Sequence, residues 1–147
     1  MARRVFFSFE YENDVGRAMV VRKSNALRGV DAAGFIDSAE FEKIRKSGRA
    51  AIKNWIDGQL ANTSVTVVLV GAETYSSGWV EYEIEASKKR GNGLLGVDIS
   101  KIRDFSGRTT ERCGKLPTGY PFYLWNNDKG YENLGSWIEA AAKAAGR

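Results

Sequence analysis

The sequence predicts an α/β fold in which a mainly parallel five-stranded sheet lies between two layers of helices. First, segments rich in β-branched and aliphatic residues alternate with segments of helical periodicity along the 147 residues. Second, residues 64–71 (SVTVVLVG) show no polar alternation, which is typical of a strand covered on both faces. Third, the helix predicted directly after this strand begins near Gly78 and ends in a basic turn followed by Gly91, a favourable C-terminal cap.

The other elements follow in order along the chain. Strands are predicted at residues 3–9, 34–37, 64–71, 93–99 and 122–125, and helices at residues 15–27, 48–60, 78–90 and 132–145. Residues 38–47 are charged and weakly periodic, which predicts a loop or a frayed helix. Residues 100–121 predict one long irregular connection. This alternation indicates a single domain spanning residues 1–147, a three-layer sandwich of the flavodoxin-like type with strand order 2-1-3-4-5.

Composition restricts the chemistry and the location. The chain has no histidine, which excludes Ser-His-Asp hydrolysis, histidine zinc sites and histidine acid–base catalysis. The net charge of +4 suits an anionic ligand such as a nucleotide, but the charges are too scattered to predict nucleic-acid binding. Cys113 is the one cysteine, so no internal disulfide forms and a reactive thiol is disfavoured. With no signal peptide and no apolar membrane span, we expect a cytoplasmic protein that has no membrane partner.

Several functions that this topology supports are disfavoured by single positions. A phosphoacceptor domain needs an aspartate where the third strand ends, and Gly71 stands there. Neither a Gly-x-Gly-x-x-Gly motif after the first strand nor a P-loop is present, which argues against dehydrogenases and NTPases. The segment at residues 10–14 (EYEND) is acidic and would repel the phosphate of a flavin nucleotide.

Four stretches carry a resemblance to a known family. They are residues 4–9 (RVFFSF), 62–66 (NTSVT), 77–84 (SGWVEYEI) and 89–92 (KRGN). Together and in this order they resemble TIR domains, and most closely the TIR-like ThsB branch of bacterial Thoeris antiphage systems. The likeness spans roughly residues 3 to 99. The usual TIR motif has cysteine after the tryptophan, whereas this chain has Val80.

The resemblance implies an enzyme that cleaves the bond between nicotinamide and ribose in NAD. NAD is then a substrate, and no separate cofactor or metal is expected. The Thoeris branch makes a cyclic or otherwise modified ADP-ribose, a nucleotide second messenger that activates a separate effector protein. Self-association through TIR–TIR contacts and a phage-derived trigger are further expected partners. By position in the motif, the catalytic residue is Glu83.

This chemistry suits a chain without histidine. Nicotinamide leaves as a neutral base, so no general acid is needed, and positive charge develops on the ribose carbon. One fixed carboxylate beside that carbon supplies electrostatic stabilisation and orientation. Helical spacing places Trp79 and Glu83 one turn apart, with Trp79 available to flank the ribose. The alternative is that Trp79 is part of the core and Glu83, like Glu81 and Glu85, only a solvated surface residue.

The remaining candidate residues follow the first two strands. Ser8, Phe9, Glu10 and Tyr11 leave the first strand at the edge where ligands bind, and we expect them to line the nucleotide site. Ordinary packing is an equal alternative for Phe9 and Tyr11. Asp37 follows the predicted second strand and either flanks the site or caps the next helix. Arg17, Arg22, Lys43 and Arg45 are candidate phosphate ligands, with a solvated position as the favoured alternative.

Two functional hypotheses from different classes therefore stand. The first is an NAD-cleaving TIR enzyme (an NAD nucleosidase or ADP-ribosyl cyclase) in antiphage defence. The second is a non-catalytic TIR module that assembles with like domains. The Trp79 and Glu83 pair favours the enzyme.

Overall fold

A computed structural model describes residues 3–72, 74, 77–112, 114 and 116–147. Cys113, the candidate thiol, lies outside the described residues. Strands and helices alternate over the described part. The strands are β1 (Arg3–Ser8), β2 (Val30–Ala33), β3 (Val65–Val70), β4 (Gly93–Asp98) and β5 (Phe122–Leu124). The helices are α1 (Val15–Lys23), α2 (Ser38–Lys46), α3 (Arg49–Leu60), α4 (Gly78–Arg90) and α5 (Gly130–Ala144).

The strands form one sheet in the order β2-β1-β3-β4-β5, and every one of these pairings is parallel. This confirms the predicted flavodoxin-like arrangement. In the register, Ser8 of β1 lies beside Val68 of β3, and Val70 lies beside Asp98 of β4. The carboxyl ends of β1, β3 and β4 therefore meet at one edge of the sheet, where ligands bind in folds of this type.

The core explains why β3 is an unbroken apolar run. All six residues of β3 are buried, because helices cover both faces of the sheet. Phe6, Phe7 and Leu69 are completely buried in the larger apolar cluster, and Val68 and Val70 belong to a smaller cluster with Val80 of α4. Full burial of one such side chain contributes about 1.5–3 kcal/mol, so these side chains stabilise the sheet that carries the site.

The predicted position of the second strand is wrong. The strand is Val30–Ala33, immediately before the predicted residues 34–37. Gly34 has a φ of +90°, and a Cβ there would lie 2.4 Å from the carbonyl oxygen of Phe7. The chain therefore turns at Gly34 and leaves the sheet. Phe35 is apolar because its ring packs on Phe7, with 4.8 Å between centroids, and not because it lies in a strand.

Two helix boundaries also differ from the prediction. The first helix ends at Lys23, and a short 3₁₀ helix follows at Asn25–Leu27 because the Ser24 hydroxyl accepts the amide of Ala26. Residues 38–46 form a regular helix, α2, since the Asp37 side chain caps its first turn. The boundaries of α3, α4, β4, β5 and α5 agree with the predictions to within two residues. No helix in the described ranges combines the length and apolarity needed to cross a bilayer.

The irregular segment after β4 is tied to α1. Arg17 is only 6% exposed, and its guanidinium donates hydrogen bonds to the carbonyls of Ile102 (2.8 Å) and Arg108 (2.9 Å). Its terminal nitrogen lies 3.7 Å from the carboxylate of Asp104. Arg17 is therefore neither a solvated residue nor a phosphate ligand, and both predictions made for it are wrong. It orders the first half of the long connection.

Candidate active site

The candidate site lies where α4 crosses the carboxyl ends of β1 and β3. The Ser77 hydroxyl accepts the amide of Val80 at 3.3 Å, which fixes the start of α4. At the other end Gly91 adopts a φ of +75° and closes the helix, as predicted. Between these caps the residues buried on α4 are Val80, Glu83 and Ser87, which share one face at helical spacing. Glu83 therefore points at the sheet and not at solvent.

The Glu83 carboxyl group is held by two hydroxyl groups. The Ser8 hydroxyl, at the end of β1, donates a hydrogen bond of 2.6 Å to Oε1. The Tyr11 hydroxyl, three residues later, donates to Oε2. Glu83 and Ser8 are fully buried, and Tyr11 is only 3% exposed. The surface interpretation of Glu83 is thus wrong, and the structure brings together three of the predicted site residues.

Burial determines the protonation of this group. Loss of water raises the pKa of Glu83 from its ordinary 4.5 to about 8, and the hydrogen bonds from Ser8 and Tyr11 oppose that shift without cancelling it. Burial, followed by the neighbouring Glu83, also raises the pKa of Tyr11 well above its ordinary value. At neutral pH the closed site therefore holds Glu83 mainly as the neutral acid, bonded to a neutral phenol.

Aromatic rings cover the carboxyl group on the Tyr11 side. The Tyr11 ring stacks on Phe41 of α2 with 4.5 Å between centroids, and it meets the Trp55 ring of α3 edge-on at 5.7 Å. Phe9, fully buried, packs against the same ring at 5.0 Å. The packing alternative is therefore correct for Phe9, whereas Tyr11 both packs and binds Glu83. Together these rings exclude water from the site.

The other predicted site residues do not reach Glu83. The Glu10 carboxylate accepts the amides of Glu12 and Asn13 at 3.0 and 2.7 Å, so it closes its own turn. Asp37 is exposed and accepts the amide of Glu40 at 2.8 Å, which confirms the capping alternative.

Trp79 lies one turn before Glu83 on α4 and is half-buried. Its ring lies 5.2 Å from the guanidinium carbon of Arg49 and 5.9 Å from the centroid of Tyr82. It packs partly against the core, as the core alternative expected, and it also lines the groove between α3 and α4.

Of the candidate phosphate ligands, Arg45 pairs with Glu12 and Glu42 at 2.6 and 2.8 Å, and Arg22 lies over the Phe35 ring at 5.6 Å. Lys43 is exposed, which confirms the solvated alternative.

A second carboxylate at the strand ends was not among the predicted site residues. Asp14 is fully buried, and the Thr74 hydroxyl donates to it at 3.4 Å while accepting the Gly71 amide at 2.8 Å. A Cβ on Gly71 would lie 2.3 Å from the Asp14 carboxylate, so a larger residue there must displace that carboxylate. The one sequence signal is Gly71 itself, because a glycine at the end of a strand indicates a close approach to the backbone, but it does not identify Asp14. Across the described ranges, no group of three or more acidic, cysteine or histidine side chains is arranged to hold a metal ion.

Comparison with known proteins agrees with this architecture. Residues 6–104 match the model of the family described as "Thoeris protein ThsB, TIR-like domain". The chain is also similar to a protein of Bacillus cereus (strain MSX-D12) named "Putative cyclic ADP-D-ribose synthase ThsB1". The two are 37% identical over 139 residues, which cover 93% of this chain and 72% of the relative. With a matching domain model, that identity and the parallel 2-1-3-4-5 sheet, the chain belongs to the TIR-like ThsB family of Thoeris proteins.

Proposed function

We propose that the protein cleaves the nicotinamide–ribose bond of NAD and releases a cyclic or modified ADP-ribose as a signal in Thoeris-type antiphage defence. The observation that carries the proposal is the Glu83 carboxyl group, fixed by Ser8 and Tyr11 at the ligand-binding edge of the sheet. Family membership and the name of the Bacillus cereus relative support the same reaction.

Cleavage of this bond requires stabilisation of a positive charge on the ribose, which a fixed carboxylate can provide. The bond between the ribose C1′ and the ring nitrogen breaks with its electron pair going to nicotinamide, which becomes neutral as it leaves. Positive charge appears at C1′, and the Glu83 carboxylate stabilises that charge while holding a ribose hydroxyl. Capture of C1′ by a nitrogen of the substrate's own adenine closes a ring, whereas capture by water gives ADP-ribose. No histidine, metal or separate cofactor is needed.

The closed site must open before the reaction can begin, so opening can control the activity. NAD reaches Glu83 only when the Tyr11 ring leaves its place against Phe41 and Trp55. Once water or polar substrate groups enter, the desolvation that raises the pKa of Glu83 is relieved, and the carboxyl group ionises to the form the reaction needs. We propose that the phage-derived trigger and TIR–TIR self-association favour this open form, and that the product then activates a separate effector protein.

One observation favours the second candidate, a non-catalytic TIR assembly module. The Glu83 side chain is fully buried, and a purely structural buried acid would have the same hydrogen bonds. The two candidates differ in what happens to NAD after infection.

The test compares phage-challenged cells that carry the wild type, Glu83→Gln or Glu81→Gln together with the effector. Glutamine keeps the size of the side chain and removes its ability to ionise. Glu81, two residues away and exposed, is the matched control. We expect NAD loss and phage protection with the wild type and with Glu81→Gln, and neither with Glu83→Gln. Equal protection and equal NAD loss with Glu83→Gln would contradict a catalytic Glu83, and protection without any NAD loss would favour the assembly module.

A further inference from the structure

A cavity lies between the amino-terminal halves of α3 and α4. Its volume is about 510 Å³, within the usual range for small-ligand sites. The groove is lined by Arg49, Ala50, Lys53, Gly78, Trp79 and Tyr82. Two of these side chains are cationic and two are aromatic, and none is acidic. This composition fits an anionic ligand that carries a flat ring.

The two cations are held in place by rings and not by acids. The Arg49 guanidinium carbon lies 5.2 Å from the Trp79 centroid, and the Lys53 ammonium nitrogen lies 5.7 Å from the Tyr82 centroid. Among the described residues, neither cation forms an ion pair or a side-chain hydrogen bond. A guanidinium that lies over a ring and has no acidic partner keeps its N–H groups available for phosphate oxygens, which it can bind in pairs.

The backbone adds to the positive field of the groove. Helix α3 begins at Arg49, and no side chain caps its first amides. Helix α4 begins at Gly78, on the facing wall. The partial positive charge of two helix amino termini reinforces the two side-chain cations. Asp57 lies one turn after Lys53 on α3 and accepts a hydrogen bond of 2.7 Å from the Tyr82 hydroxyl. Its negative charge is therefore closer along the helix to Lys53 than to Arg49, which favours binding of an anion near Arg49.

The walls of the groove also connect it to Glu83. Trp79 and Tyr82 precede Glu83 on α4, and Trp55 of α3 touches the Tyr11 ring that covers it. A dinucleotide that enters between these helices thus meets cations beside α4, which carries Glu83, and on α3, whose Trp55 packs against the Tyr11 ring.

We propose that this groove binds the diphosphate of the dinucleotide substrate, with Arg49 and Lys53 on the phosphate oxygens and Trp79 against a ring of the nucleotide. This inference rests on the proposed function, because it places part of NAD beside the site that cleaves it. Recognition is of a nucleoside diphosphate, so ADP-ribose, which lacks nicotinamide, is also a ligand.

Calorimetric titration of the purified full chain with ADP-ribose tests the inference. The double variant Arg49→Gln/Lys53→Gln removes both cations from exposed positions and leaves the fold intact, which a urea unfolding curve verifies. We expect about a tenfold or greater loss of affinity, since two charge-assisted contacts are removed. The matched control, Lys89→Gln, removes an exposed charge at the far end of α4 and changes affinity less than twofold.

Wild-type affinity also falls as salt is raised, because the contacts are electrostatic. Equal ADP-ribose affinity in the double variant and the wild type overturns the groove assignment, and so does the absence of ADP-ribose binding at millimolar concentration.

Glu83→Gln separates this inference from the proposed function. We expect Arg49→Gln/Lys53→Gln to lower ADP-ribose affinity by the same factor in the Glu83→Gln background as in the wild-type background, while Glu83→Gln itself fails to cleave NAD. If the wild type never cleaves NAD but loses ADP-ribose affinity in the double variant, the groove stands and the proposed reaction falls. If the wild type cleaves NAD with a KM that the double variant leaves unchanged, the reaction stands and the groove assignment falls.

Discussion

Replacement of Glu83 by glutamine tests whether the carboxyl group is buried as the neutral acid. In the unfolded chain Glu83 has its ordinary pKa of 4.5, and burial raises that pKa to about 8 in the folded protein. A raised pKa means that the folded state holds the proton more tightly, so this stabilisation is complete below pH 4.5 and is lost as the pH rises through 8. Between pH 5 and pH 8 the lost stability amounts to roughly 3–4 kcal/mol.

Urea unfolding of the wild type and Glu83→Gln at pH 5, 6, 7 and 8 measures this loss. We expect the unfolding free energy of the wild type to fall relative to that of the variant by about 1 kcal/mol or more per pH unit. The chain has no histidine, the side chain that ordinarily titrates in this range, so the background is small. Glu81→Gln, an exposed control, follows the wild type. A wild-type-minus-variant difference that stays constant with pH would refute the neutral buried acid.

Three further substitutions probe the surroundings of the site. Tyr11→Phe removes a hydrogen bond to Glu83 and lowers the unfolding free energy by about 1–3 kcal/mol in urea at pH 6; an unchanged value would show that this hydrogen bond does not stabilise the fold. Gly71→Ala puts a Cβ 2.3 Å from the Asp14 carboxylate and costs about 2 kcal/mol or more by the same assay, whereas a neutral effect would contradict the close approach. Arg17→Met leaves two loop carbonyls unpaired, and trypsin then cleaves within residues 100–112 several-fold faster than in the wild type; equal rates would disprove the tether.

The sheet order and its central elements could be predicted from sequence because they follow from burial alone. A strand such as β3, covered on both faces, has no polar positions, and α4 carries both of its end signals in the sequence. The second strand was mispredicted because it lies at the edge of the sheet and pairs with β1 alone. Its residue Asp31 is exposed, and the stronger apolar signal at Phe35 comes from packing beyond the end of the strand.

The site was predictable only in part. Helical spacing from Val80 through Glu83 to Ser87 places Glu83 on the buried face, so its inward direction could be predicted from sequence. The position of Ser8 and Tyr11 at the same edge of the sheet could also be predicted, but their hydrogen bonds to Glu83 could not, because these residues are 75 and 72 positions away along the chain. The same holds for Arg17, whose partners lie in the loop after β4. Such contacts depend on the packed fold and leave no local pattern in the sequence.

Nicotinamide release in lysates of phage-infected cells tests most directly whether the Glu83 carboxyl group takes part in NAD cleavage. Lysates that contain the wild type or Glu83→Gln at equal abundance receive NAD, and free nicotinamide is followed with time. We expect steady release with the wild type, and with Glu83→Gln no more than the background of cells that lack the protein. Release by Glu83→Gln at the wild-type rate would contradict the claim that this carboxyl group stabilises the ribose cation.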